Sequence, residues 1–311
     1  MKPFRKNVAI AIDGGGIRGV MVCKALAILE ERLEQPVHKL FRLTAGTSTG
    51  SIIAAGIGAG LTANQMYQLY VELGGSIFRK TWRSFFWPLT RYRYSSQPLI
   101  EALHRYIGNQ EMGDFLNQDP PIDVVITVFD LVENRTRFVK PWKPEYKNWS
   151  VVTTILASST VPTYFPVVDG RYVDGGVGSY SNPCYIAAYE LQFCLGWNPR
   201  ETTLISLGTG RDPHHVDPGE PTRYSTVQWL DPILDAFQRS ADDQQVHLVE
   251  SFFKELDFRR FQVDMVEKIS MDDPKKIPEL TRYGEHLGRM ILEDRYDRAM
   301  GVIPQQTKKM R

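Results

Sequence analysis

Ser48 stands between Gly46 and Gly50 in the stretch FRLTAGTSTGSIIAAGIGAG, where the extended-type residues Phe41, Leu43 and Thr44 give way to small and aliphatic ones suited to a helix. A hydroxyl at a strand-to-helix corner is presented on a strained turn, and glycines on either side remove the Cβ groups that would clash there. Serine is a weak nucleophile by itself and needs a base within hydrogen-bond reach. Asp174, in the otherwise polar-poor segment GRYVDGGVG with Gly175 and Gly176 behind it, is the candidate base. The segment DGGGIRG supplies a third part: the backbone N–H groups of Gly14, Gly15 and Gly16, with Arg18, at the start of a helix. Amides at a helix N-terminus suit a developing oxyanion. A nucleophile, a base and an oxyanion hole together specify acyl transfer.

Each group must be carried by an element that brings it to a common place. Asn7 to Ile12 is a short, nearly continuous apolar run, the pattern of a strand buried on both faces, and it feeds directly into the triglycine. Val20 to Glu34 has apolar residues at helical spacing (Val22, Leu26, Leu29, Leu33), and Leu40 to Ala45 reads as a second strand ending at the GTSTG elbow. Thr62 with Gln65 three residues on signals a capped helix start, and Pro98 opens another helix. Residues 122–130 and 135–142 read as strands joined by a turn through Asn134, and 202–210 as a further buried strand ending in glycines. Residues 210–224 read as a long loop and the chain beyond as mainly helical. Alternating strands and helices predict a three-layer α/β/α domain with a mostly parallel central sheet. Sites in such sheets form beyond the carboxyl ends of the strands, where all three glycine corners fall. Residues 1–311 are expected to form one domain, with the chemistry in 1–210 and residues 211–311 packed on it.

The 311 residues are 42% hydrophobic, enough for a sizeable core. Lys and Arg number 37 against 36 Asp and Glu, so no global field invites a nucleic acid polymer. Cys23, Cys184 and Cys194 have no metal-knuckle or CxxC spacing and read as buried thiols in a reducing compartment. The apolar run at the N-terminus ends at Asp13, too short for a signal-peptide core, and no window reaches the ~18 to 20 apolar residues of a membrane span. A cytoplasmic location follows as the expectation.

Taken in order, AIDGGGIRG, GTSTG, ASSTVPTYFP (157–166), DGGV followed by NP (174–183) and SLGTG (206–210) give the chain a specific resemblance to the patatin-like phospholipases. The resemblance covers about the first two-thirds of the sequence. It implies a patatin-like three-layer fold and a Ser-Asp dyad without histidine that hydrolyses ester bonds of lipids, with a lipid or phospholipid as substrate and no cofactor or metal. Matched by motif, Ser48 would be the nucleophile, Asp174 its base, and Gly14, Gly15, Gly16 and Arg18 the oxyanion side. Ser51 departs from the pattern, since many members carry a third glycine after the elbow.

Other readings of the same residues remain. Gly14, Gly16 and Gly19 satisfy GxGxxG after a strand, which suggests a nucleotide-binding oxidoreductase, but the next strand ends in Thr44, Ala45 and the elbow without the ribose-binding acid. A catalytically silent lipid-binding module would require a broken dyad. A Ser-His-Asp triad would draw on His38, His104, His214, His215, His247 or His286, none of which has a motif context beside Ser48. Residues 76–94 hold Phe78, Trp82, Phe85, Phe86, Trp87, Tyr92 and Tyr94 interleaved with Arg79, Lys80, Arg83, Arg91 and Arg93 and no acid. This composition suits either peripheral contact with an anionic membrane surface or aromatics packed inward with cations in water.

Overall fold

The computed structural model describes residues 1–79, 91–213 and 219–297. The chain order begins β1 (Asn7–Ile12), α1 (Gly19–Leu33), α2 (Val37–Leu40), β2 (Leu43–Gly46), α3 (Thr49–Gly58), α4 (Ala63–Ile77) and α5 (Gln97–Ile107). It continues with β3 (Asp123–Asp130), β4 (Arg135–Val139), α6 (Val151–Ser159), β5 (Tyr172–Asp174) and α7 (Cys184–Tyr189). β6 (Thr202–Leu207), α8 (Thr226–Phe252), β7 (Asp257–Phe261) and α9 (Ile277–Leu292) complete it.

The strands form one sheet in the order β4-β3-β2-β1-β6-β7, with β2, β1, β6 and β7 parallel to their neighbours and β4 antiparallel to β3. Side chains alternate across a strand, so a buried strand must satisfy two cores at once. In β1, Val8, Ile10 and Ile12 enter the larger core with α1, α3 and α4, while Ala9 and Ala11 enter the other with α7 and the C-terminal half of α8. β3 and β6 divide the same way, Val124, Ile126, Ile205 and Leu207 on one side and Val125 and Leu204 on the other. Two helical layers around one sheet is the three-layer α/β/α arrangement expected from the alternation.

Most expected elements stand where the periodicity put them. The cap on α4 is made as read: the Gln65 amide donates to Thr62 Oγ1 at 3.2 Å and the Thr62 amide to Gln65 Oε1 at 2.8 Å. Asn134 takes the positive φ of 51° that closes the β3–β4 turn. β2 starts at Leu43 rather than Leu40, because Val37–Leu40 first makes a helical turn entered from Pro36. The part after residue 210 is mainly helical but also adds β7, parallel to β6. Its sequence DFRRF hides a buried strand behind two arginines, and both are neutralised inside the fold. Arg259 pairs with Asp257 at 2.6 Å and Arg260 with Asp13 at 2.5 Å. Of the three thiols expected to be buried, Cys23 and Cys184 are, whereas Cys194 is exposed. Among the described residues no helix is long and apolar enough to cross a membrane.

α9 lies against α1 with glycines at the crossing. A Cβ on Gly284 would stand 2.6 Å from the Met21 carbonyl oxygen and 2.8 Å from Lys24 Cβ. At an exposed helix position Gly→Ala stabilises by about 1 kcal/mol. Here the overlap should reverse the sign, so Gly284→Ala is expected to lower stability by about 1–3 kcal/mol in urea unfolding. A gain would mean that the two helices do not cross this closely.

Candidate active site

Ser48 and Asp174, the expected nucleophile and base, are brought together by one edge of β3. Gly46, the last residue of β2, pairs with Ile126, and Asp174, the last residue of β5, pairs antiparallel with Val128. β4 covers the opposite edge from Ile126 to Asp130. β2 and β5 therefore share the same side of β3 and meet nearly end to end, so the elbow leaving β2 and the DGG turn leaving β5 project from adjoining positions.

Ser48 sits at φ 54° and ψ −124°, a conformation a non-glycine residue adopts only under constraint. The constraint is visible. Added Cβ atoms at Gly46 and Gly50 would run into the Gly50 and Ile12 carbonyls, so only glycine lets the elbow close this tightly against β1. Three serines then hold the Ser48 backbone. The Ser48 amide donates to Ser158 Oγ at 3.0 Å, and the Ser48 carbonyl accepts from Ser51 Oγ at 2.6 Å and Ser159 Oγ at 3.1 Å. The departure at Ser51 thus strengthens the elbow, and Ser158 and Ser159 give the ASST motif a role that its residue types alone did not disclose.

Asp174 is anchored from both directions: its amide donates to the Thr160 carbonyl at 3.0 Å, and its Oδ1 accepts the Gly176 amide at 2.8 Å. Gly175 packs so tightly on Thr127 that a Cβ would meet the Thr127 carbonyl oxygen at 2.5 Å. Burial pushes the carboxyl up to about 6, opposed by the Ser48 hydroxyl and the Gly176 amide. Although Ser48 is close enough to be felt, Oδ2 is buried and receives no hydrogen bond within normal geometry among the described residues. An unpartnered acceptor beside a hydroxyl is what the expected base requires, and such contacts commonly tighten only when substrate binds.

The glycine loop divides its amides. Gly14 donates to the Ser181 carbonyl at 2.9 Å and Ile17 to the Met271 carbonyl at 2.9 Å, so neither amide is available to an oxyanion. Gly15 and Gly16 have no acceptor among the described residues and are the amides left free, and Gly16 lines the same cavity as Thr49 at the start of α3. Gly16 is at φ 58°, and a Cβ there would collide with Met271. Of the expected oxyanion residues, Gly14 is therefore structural. Arg18 also points elsewhere: its Nη2 donates to Asp212 Oδ2 at 2.6 Å and its Nε to the Ile269 carbonyl at 3.0 Å. Its guanidinium pins two later loops to the helix start.

Ser48 opens into an apolar cavity walled by Ile52, Leu69, Leu73, Ile77, Phe165 and Met271, among others. No histidine lines it, and none of His38, His104, His247 and His286 bonds to Ser48 or Asp174. His214 and His215 lie outside the described residues. Within 76–94, Trp82, Phe85, Phe86 and Trp87 also lie outside them, while Tyr94 is buried and stacks edge-on to Phe78 at 5.5 Å, the inward-packing alternative for those two rings. Among the described residues no group of three His, Cys, Asp or Glu side chains is placed to hold a metal. The dinucleotide reading of Gly14, Gly16 and Gly19 finds no support: the end of β2 holds the elbow, and Gly19 packs against the Thr49 and Tyr70 hydroxyls. Sequence reasoning missed Ser158, Ser159, Ser181, Thr209 and Met271, whose hydroxyls and carbonyls hold the loops. The motifs ASST and SLGTG contain three of them, but only the fold shows what they touch.

Comparison with known proteins agrees with this geometry. The family model for "Patatin-like phospholipase" matches residues 10–188. The chain is 27% identical to calcium-independent phospholipase A2-gamma of Oryctolagus cuniculus over 295 residues, covering 86% of this chain and 36% of that protein. It therefore spans about a third of that relative's length. It is 27% identical to a cGAMP-activated phospholipase of Pseudomonas aeruginosa over 287 residues, covering 88% of this chain and 82% of that one. Among solved structures, VipD from Legionella pneumophila matches with a TM-score of 0.50 at 13% identity, covering 94% of this chain and 67% of that one, a likeness of fold.

Because burial raises the Asp174 carboxyl from 3.8 to about 6, its ionised form opposes folding: the proton is held more tightly in the folded state, and stability is lost as pH rises through 6. Asp174→Asn is therefore expected to unfold at higher temperature than wild type at pH 8, by about 2 kcal/mol of stability, with the gap closing as pH falls toward 4. A wild type that is the more stable protein at pH 8 would show that partners of the carboxylate outweigh its burial.

Proposed function

The chain belongs to the patatin-like phospholipase family, and from that premise we propose that it is a serine hydrolase that cleaves ester bonds of lipids or phospholipids through an acyl-enzyme formed on Ser48. The observation that carries the proposal is the end-to-end meeting of β2 and β5, which sets a strained serine lining an apolar cavity beside a buried carboxylate.

Asp174 takes the Ser48 proton as Oγ attacks the ester carbonyl carbon. The carbonyl oxygen becomes the oxyanion and is met by the Gly15 and Gly16 amides, reinforced by the Thr49 amide at the start of α3. Collapse breaks the ester C–O bond, and the leaving alcohol takes the proton from Asp174. Water then attacks the acyl-enzyme, gives its proton to Asp174, and the fatty acid leaves as Ser48 recovers its own. An acyl chain of sufficient length would lie along Ile52, Leu69, Leu73 and Ile77, where burial contributes about 0.8 kcal/mol per CH₂. One carboxylate suffices because its environment has already lifted its basicity toward neutrality.

Purified protein is expected to hydrolyse p-nitrophenyl acyl esters and to release fatty acid from mixed phospholipid vesicles. Ser48→Ala and Asp174→Asn should each lower kcat at least ~10³-fold while remaining folded. Wild-type kcat should fall as pH drops through about 6, where Asp174 becomes protonated. Full activity in either folded variant would overturn the dyad, and a wild type inert toward every ester would leave a lipid-binding protein.

A further inference from the structure

Arg260 lies on β7, two strands from β1 and far outside residues 10–188, yet its side chain crosses beneath β6 to the root of the glycine loop. Nη1 donates to Asp13 Oδ1 at 2.9 Å and Nη2 to Asp13 Oδ2 at 2.5 Å, and Nη1 also donates to Ser206 Oγ at 2.8 Å. Arg260 is 5% exposed and Asp13 3%. A bidentate fork on a carboxylate fixes its position and its plane together. Asp13 is the residue before Gly14, and its amide is held by the Leu207 carbonyl at 3.0 Å. The free amides of Gly15 and Gly16 therefore begin two residues from a charge that the sheet itself holds in place. Other restraints hold the loop further along: Thr209 Oγ1 to the Gly14 carbonyl, the Gly14 amide to the Ser181 carbonyl, the Ile17 amide to the Met271 carbonyl, and Arg18 to Asp212 and Ile269.

We propose, resting on the hydrolase reading above, that Arg260 is a positioning residue for the oxyanion hole: through its two-pronged grip on Asp13 it sets where the Gly15 and Gly16 amides point in the transition state.

The surroundings of the pair favour this role over a purely architectural one. Asp242 of α8 is buried beside the same guanidinium, so two carboxylates face one cation, with Cys184, Asp243, Arg211 and Asp297 the other titratable or charged groups felt in the cluster. Burial first, and then the Asp13 charge, push Asp242 up to about 8. Burial favours the neutral form of Asp242, and the guanidinium gives its paired hydrogen bonds to Asp13. Asp242 Oδ1 and Arg260 Nε have no hydrogen-bond partner among the described residues, so Asp242 does not share the guanidinium with Asp13 through either atom. A buried charge pair is weak support for stability, because well-packed neutral residues serve as well. What it gives here is geometry, and a displacement of about 1 Å in a catalytic group costs on the order of 10²-fold in rate.

The test separates position from stability. Arg260→Met alone leaves Asp13 charged and buried and is expected to unfold readily, so the deciding variant is the double substitution Asp13→Asn with Arg260→Met, which removes both charges. It should fold with a Tm close to wild type and bind substrate with an unchanged KM, yet lose about 10²-fold in kcat. It should also lose a similar factor in affinity for an aryl trifluoromethyl ketone, whose adduct with Ser48 carries the oxyanion. Arg260→Lys, which keeps the charge but offers one point of contact, should fall between. A folded double variant with wild-type kcat and wild-type ketone affinity would overturn the proposal, as would a loss confined to KM. Wild-type protein that hydrolyses esters in a Ser48-dependent way keeps the hydrolase reading intact under either result.

Discussion

The site depends on the fact that one edge of β3 is shared by two strands. Residues 123–126 of that edge pair with β2 and residues 128–130 with β5, running in opposite directions. A hydrogen-bond ladder fixes register to one residue, and a slip of one residue would turn every side chain to the other face. Ser48 and Asp174, 126 positions apart in sequence, are thereby located by the most rigid device available to a chain. No loop spans the distance between them, so their approach does not depend on a flexible segment being ordered. The antiparallel entry of β5 into an otherwise parallel neighbourhood is what allows its end to face the end of β2.

Rigid placement makes the unfavourable local features tolerable. Ser48 holds a left-handed φ, Asp174 holds a buried carboxyl, and Gly46, Gly50 and Gly175 hold backbones closer than any side chain would permit. Strain of this kind costs on the order of 1–3 kcal/mol for each residue and persists only where the surroundings over-determine it. The two apolar layers packed on alternate faces of β1, β3 and β6 supply that determination. The hydroxyls of Ser51, Ser158 and Ser159 complete it locally, by saturating the Ser48 amide and carbonyl so that the elbow cannot relax by seeking other partners.

Much of this was legible in the sequence. Short apolar runs marked β1, β3 and β6, the capping box marked α4, and the three glycine corners marked the chemistry, because each is a local property of a few neighbouring residues. What stayed hidden was what depends on distant partners. β7 was missed because DFRRF looks solvated until Asp257 and Asp13 are seen to neutralise its arginines. Gly14 and Arg18 were assigned to the oxyanion because the motif places them beside it, whereas Ser181 accepts the one amide and Asp212 and Ile269 take up the guanidinium. Phe78 and Tyr94 share a run of aromatics and cations that reads as a surface, and only the rings of Tyr164 and Phe165 show that the two face inward.

The division of labour along the chain follows from these partners. Residues 10–188, which match the family model, contain Ser48, Asp174 and the Gly15 and Gly16 amides. Nearly every restraint on those amides comes from later in the chain: Thr209 on the Gly14 carbonyl, Met271 on the Ile17 amide, Asp212 and Ile269 on Arg18, and Arg260 on Asp13. Electrostatic stabilisation of a transition state requires dipoles that are already aimed before charge develops, since turning them during the reaction would return the energy they supply. The C-terminal third thus restrains the glycine loop through carbonyls, carboxylates and a single buried arginine, contacts that need not appear as a motif in its sequence.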